Sequence, residues 1–158
     1  MRTVVAAAAL VIVAAGSPAA QAIPDLSGTW LVDAARSDPT PPAPAGGRGR
    51  GNANQMVVTN GEGTLTVALG NANYIYNLDG SERTGPPGGE TKSKIAWDGG
   101  RLVVTWKREF FAGPEKGYET STGRDTYTLA GTVLTVERMT ALPGQPPQTR
   151  KTVYNRAP

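Results

Sequence analysis

The chain has 158 residues, 16 Lys and Arg against 13 Asp and Glu, no cysteine and no histidine. A net charge of +3 is too small to call for a polyanion, so no nucleic-acid partner is expected. Without cysteine and histidine, disulfides, thiol nucleophiles, imidazole bases and the commonest metal ligands are all excluded, so the sequence predicts neither a cofactor nor an enzyme.

The first 22 residues run from a lone charge, Arg2, through an apolar stretch from Val4 to Ala15 to small residues ending in Ala20, Gln21 and Ala22. That order is a secretory signal, with cleavage after Ala22. The apolar run falls short of the roughly 20 residues a membrane helix needs. The expectation is therefore an exported chain, periplasmic or extracellular, with no membrane span once processed. Residues 23–158 have the size of one domain.

A first strand is predicted from Ser27 to Asp33. A connection from Ala34 to about Asn54 follows, with Pro39, Pro41, Pro42, Pro44 and the run Gly46, Gly47, Arg48, Gly49, Arg50, Gly51. Such a segment forms neither helix nor ladder and is expected to be a mobile spacer. Its two arginines are a poor footprint for RNA.

From Gln55 onward apolar residues alternate with polar ones, and the test of a shared face is whether their parity survives each turn. A loop over Asn60 to Gly63 would set Val58 opposite Leu65 and Met56 opposite Val67. A turn at Asn71 and Ala72 would set Leu69 against Tyr74, Val67 against Tyr76 and Leu65 against Leu78. The Asp98-Gly99 hairpin signal pairs Ile95 with Leu102, and a turn at Ala130-Gly131 pairs Tyr127 with Leu134 and Asp125 with Val136. One apolar face runs through all of these hairpins. About nine strands result, near 27–33, 54–59, 64–69, 73–78, 91–97, 101–108, 119–129, 132–140 and 148–155. An antiparallel up-and-down meander of about 8 to 10 strands with one apolar face has to cover that face, and with no helix predicted as a lid it closes into a barrel.

The opening Leu26, Ser27, Gly28, Thr29, Trp30, Leu31, Val32, Asp33 resembles the Gly-x-Trp signature of lipocalins. It is closer still to bacterial secreted lipocalin-like proteins, where Ser-Gly-Thr-Trp precedes an acidic residue and a basic-Ser pair, here Arg36 and Ser37. The hairpin from Trp97, Asp98 and Gly99 to Leu102, Val103 and Val104 resembles that group too. The resemblance implies a lipocalin-like barrel. It also implies an arginine of the last strand stacked on Trp30, with Arg150 and Arg156 both candidates. The chain departs from the family at Asp125, Thr126, Tyr127, whose order differs from Thr-Asp-Tyr, and in lacking the disulfides of animal lipocalins.

Little else suggests chemistry. Ser93 and Lys94 are adjacent strand residues that point to opposite faces and cannot form a dyad. Glu109, Glu115 and Glu119, interspersed with Lys107, Arg108 and Lys116, read as a solvated rim. The inward parity carries Tyr74, Tyr76, Trp97, Trp106 and Tyr127, whose polar tips suit a cavity wall better than a packed core. Asp125 shares that parity, with Arg138 as its diagonal neighbour across the hairpin; the first reading is that these strand ends lie in solvent, and a pair held inside is either structural or placed to orient a ligand carboxylate or hydroxyl. The expected site is thus Tyr76, Trp97, Trp106, Tyr127 and Arg138, binding a small apolar or amphipathic molecule in the barrel without covalent chemistry. The alternatives are a filled barrel serving as an envelope structural or interaction module, and an atypical enzyme working through Tyr, Asp and Arg.

Overall fold

The computed structural model describes residues 23–39, 54–85 and 91–158. The expected signal segment and most of the Pro/Gly connection lie outside these residues. The described chain forms β1 (Gly28–Val32), β2 (Gln55–Gly61), β3 (Thr64–Leu69), β4 (Ala72–Asn77), β5 (Arg83–Gly85), β6 (Thr91–Asp98), β7 (Arg101–Phe111), β8 (Tyr118–Ala130), β9 (Val133–Ala141) and β10 (Gln148–Arg156). They make one ten-stranded antiparallel sheet in the order β4-β3-β2-β1-β10-β9-β8-β7-β6-β5. Neighbours in sequence are neighbours in space, except that β1 also pairs with β10 and so joins the chain's two ends. The sheet curls until its edge strands β4 and β5 meet, where Arg83 Nη1 donates to Asn77 Oδ1 at 3.1 Å. The result is a nearly closed barrel. Strand β5 is missing from the sequence reading because three residues are too few to show an alternation.

Every expected hairpin forms, yet each turn differs from the expected one: the β2–β3 turn is tighter, the β3–β4 turn lies one residue earlier, and the β6–β7 and β8–β9 turns lie one residue further on. Met56 pairs with Leu69 and Val58 with Val67; Val67 pairs with Tyr74 and Leu65 with Tyr76. Ile95 faces Val104, and Tyr127 faces Val136. Each pairing is displaced by two residues along one strand. An even displacement leaves every side chain on its original face, so the predicted parity holds while the registers are corrected. Glycine supplies the reason at the β6–β7 turn: Gly99 and Gly100 take φ of +56° and +77°. A type I′ turn needs positive φ at both central positions, and Asp98 is the costlier choice for one of them.

The inward face packs into one apolar cluster drawn from both halves of the barrel. Trp30, Leu102, Val104 and Leu134 have no exposed surface, and Met56, Val58, Leu65, Val67, Ile95, Tyr76 and Tyr127 are buried around them. After β1 the chain continues along the edge of β10. Asp33 N donates to Val153 O at 2.8 Å, Asp38 N to Lys151 O at 2.9 Å, and Val153 N to Ser37 Oγ at 2.9 Å. The first residues of the connection are therefore tied to the barrel, and the basic-Ser pair of the opening motif lies in this stretch.

Candidate functional site

One end of the barrel is organised by the first strand. Trp30 is fully buried and its Nε1 donates to Leu26 O at 2.9 Å. Arg156, its register partner on β10, places its guanidinium carbon 4.5 Å from the centre of the indole ring. The same guanidinium donates from Nη1 to Ser27 O at 2.8 Å. Of the two arginines left open, the stacked one is Arg156. Gly28 is required here: its φ is +132°, and a Cβ would sit 3.1 Å from Arg156 Nη1. The Ser-Gly-Thr-Trp opening thus builds a tryptophan plug clamped by a cation from the last strand.

Four of the five expected site residues gather around a buried carboxylate. Asp125 has 1% of its surface exposed and lies directly opposite Arg138, not diagonal to it. That correction follows from the two-residue shift at the β8–β9 turn. Arg138 grips the carboxylate with both arms of its fork, Nε to Oδ1 at 2.9 Å and Nη2 to Oδ2 at 2.5 Å, a charge-assisted bidentate pair. The arginine side chain keeps 42% of its surface exposed against 2% for the aspartate. Burial works against the Arg138 charge, but the hydrogen bonds and field of Asp125 outweigh it and hold the guanidinium above its usual range.

Aromatic side chains surround the pair. Trp106 points Nε1 toward Asp125 Oδ1 at 3.4 Å, a long contact. Its indole lies across Gly123, where a Cβ would meet Trp106 Cζ2 at 2.2 Å and Met139 O at 2.8 Å. Only glycine permits that arrangement. Burial holds the Tyr127 phenol well above its ordinary value of 10.0, with Tyr76 and Asp125 adding to the effect and Arg138 opposing it. Burial likewise raises Tyr76, which feels Asp125, Arg138 and Tyr74, and Tyr154, which feels Arg138 and Arg150. These phenols stay neutral donors well into the alkaline range.

Trp97 lines a different space. It borders an open apolar cleft of about 260 Å³ with Ile23, Pro24, Leu26, Leu65 and Leu78, beside the β6–β7 turn. A second, shallower cleft of about 350 Å³ involves Lys92, Lys94, Lys107 and Trp106 over β6 to β8. Tyr76 and Tyr127 belong to the packed core, so the five residues do not line one common void. Sequence reasoning missed Tyr154 and Gly123. The signal for Gly123 was an isolated glycine inside a strand pattern, which marks a close approach of another group. Among the described residues no group of acidic side chains is placed to hold a metal ion.

No protein family and no curated protein matches this chain. Among solved structures it is similar to a secretory abundant heat soluble protein from Ramazzottius varieornatus, with a TM-score of 0.57 over 84% of this chain and 95% of that one. The two share 16% of their residues, so the likeness shows the β-barrel fold and nothing finer.

Proposed function

We propose that this chain is an exported, non-enzymatic binding barrel that takes a small amphipathic molecule at the Asp125–Arg138 cluster, its polar group on Arg138 and its apolar part against Trp106 and Tyr74. The observation that carries this reading is the asymmetry of the ion pair. A carboxylate held out of water fixes the fork of an arginine whose own side chain remains 42% exposed within an aromatic surround. Bidentate anchoring pre-organises the cation, which lowers the ordering cost of binding an acceptor group. The lipocalin-like opening and the barrel fold agree with such a role, and a sequence with neither histidine nor cysteine agrees with binding without turnover.

Titration with anilinonaphthalene sulfonate, an anionic amphiphile, tests it. The expected outcome is saturable binding of about one dye per chain that quenches tryptophan fluorescence, weakened at least tenfold in the neutral pair variant Asp125→Asn/Arg138→Gln. Dye that fails to saturate, from a protein that is folded by circular dichroism, removes the reading. The second reading, a filled barrel acting as an envelope structural or interaction module, would then stand. It rests on the contiguous core around Trp30, Leu102, Val104 and Leu134.

A further inference from the structure

The outer face of β6 to β8 carries a pattern that folding alone does not favour. Two rows of residues cross it in register. In one, Lys92 faces Lys107, which faces Thr122 and then Ala141; in the other, Lys94 faces Thr105, then Arg124 and Met139. Lys92 and Lys107 are like charges directly opposite each other, an arrangement that destabilises a sheet. Among the described residues none of these four cations makes an ion pair within the sheet, whereas Arg101 at the far end of the same face is paired with Asp98 at 3.1 Å. Glu82 and Glu109 are the acids beside the lysines, and Glu137, two residues from Met139 on the same side of β9, lies diagonal to Arg124, so four cations against three acids leave the face basic by one.

The same face rises into the longest hairpin among the described residues. β7 and β8 have 11 and 13 residues, against six each in β3 and β4. At its tip Phe111 and Tyr118 face each other across the ladder, 60% and 78% exposed, with ring centroids 5.6 Å apart at 63°. Met139, 40% exposed, lies on this outer surface beside Arg124. Phe111 stands two steps of alternation beyond Lys107, roughly 13 Å along the strand. Cations along the outer barrel wall with an exposed aromatic pair at one end match the two regions of a lipid surface: anionic headgroups, and the interfacial layer that aromatic rings prefer.

We propose that the outer face of β6 to β8, with the Phe111–Tyr118 tip, is a peripheral attachment surface for an anionic lipid bilayer. Charge complementarity supplies attraction, and the tip supplies the preference for a bilayer over a soluble polyanion. The proposal does not depend on ligand binding at Arg138.

Flotation of the purified protein with vesicles tests it, one set of pure phosphatidylcholine and one containing a third phosphatidylglycerol. The expected result is binding to the anionic vesicles alone, reversed by 0.5 M salt. Lys92→Glu is the informative variant, because it replaces a like-charged cross-strand pair by an opposite one. It should raise the urea midpoint while lowering vesicle partitioning at least fivefold, since each cation near such a surface is worth about that factor. Phe111→Ser/Tyr118→Ser should weaken vesicle binding and leave retention on dextran sulfate unchanged. Equal partitioning of wild type and Lys92→Glu overturns the proposal, as does absent binding to anionic vesicles at low salt. Retention on dextran sulfate without vesicle binding would overturn it in favour of a soluble polyanion.

Discussion

The Asp125–Arg138 pair shows how unevenly one interaction can matter to its two partners. Asp125 is sealed inside the barrel, whereas Arg138 keeps much of its side chain in water. Deleting the arginine strands a desolvated carboxylate; deleting the aspartate leaves a cation that water can reach. Arg138→Met should therefore cost about 3 kcal/mol, the lower end of the range for breaking a buried pair, and Asp125→Leu nearer 1 kcal/mol. The double variant should lose less than the sum, with a coupling of about 0.5 to 3 kcal/mol. Urea denaturation at pH 7 measures all three. Equal single-variant losses that add would mean that the pair is solvated on both sides.

At the scale of elements, the hairpins show why face and register are separate predictions. Alternation has a period of two, so the parity of Met56, Val58, Leu65 and Val67 fixes which side is buried whatever the turn does by even steps. Register depends on which residues sit in the turn, and that is decided by backbone conformation. At the β6–β7 turn Asp-Gly and Gly-Gly compete, and the structure places Gly99 and Gly100 at the two positive-φ positions. Gly100→Ala forces an alanine into a left-handed conformation and should cost about 1 to 2 kcal/mol. Asp98→Ala, outside the central pair, should cost only the exposed contact with Arg101 at 3.1 Å. Thermal denaturation of the two variants distinguishes the registers, because a turn centred on Asp98 and Gly99 would reverse the order.

Over the whole molecule, the absence of histidine and cysteine leaves no side chain that ordinarily titrates between about pH 5 and 8. Stability should be flat there. Below that window the exposed aspartates take over. The side-chain hydrogen bond from Arg36, joined by one from Asn155, holds Asp33 below its ordinary value of 3.8. The backbone of Ser27 does the same for Asp25, and the Ser81 side chain for Asp79. A carboxyl depressed in the folded state contributes stability that is complete above its unfolded value and is lost as the pH falls through the folded one. The urea midpoint should hold to about pH 5 and fall below pH 4. Asp33→Asn should lower it at pH 7 and close much of the gap at pH 3. The buried tyrosines act at the other limit: burial raises Tyr76, Tyr127 and Tyr154 above 10.0, so their contribution is complete below that pH and is lost above it. An Asp33→Asn deficit of equal size at pH 7 and pH 3 would show that Asp33 acts through packing, not charge.

The sequence by itself determined the class of the fold and the inward or outward sense of residues in the predicted hairpins, because both follow from local alternation and turn chemistry. The resemblance of its opening to lipocalin-like proteins added the expectation that Arg150 or Arg156 covers Trp30. Only the tertiary structure chose Arg156, since that choice depends on which β10 residue comes into register with β1. It alone showed that Trp97 and Trp106 border separate spaces, a matter of position along the barrel and not of parity. The same holds for Gly123, whose role as the floor for the Trp106 indole exists only once β7 and β8 lie side by side. For Asp125 the sequence named Arg138 as a diagonal neighbour, and only the β8–β9 turn, by setting the count of residues across the ladder, put the two directly opposite. Parity is a property of one strand, and contact is a property of two.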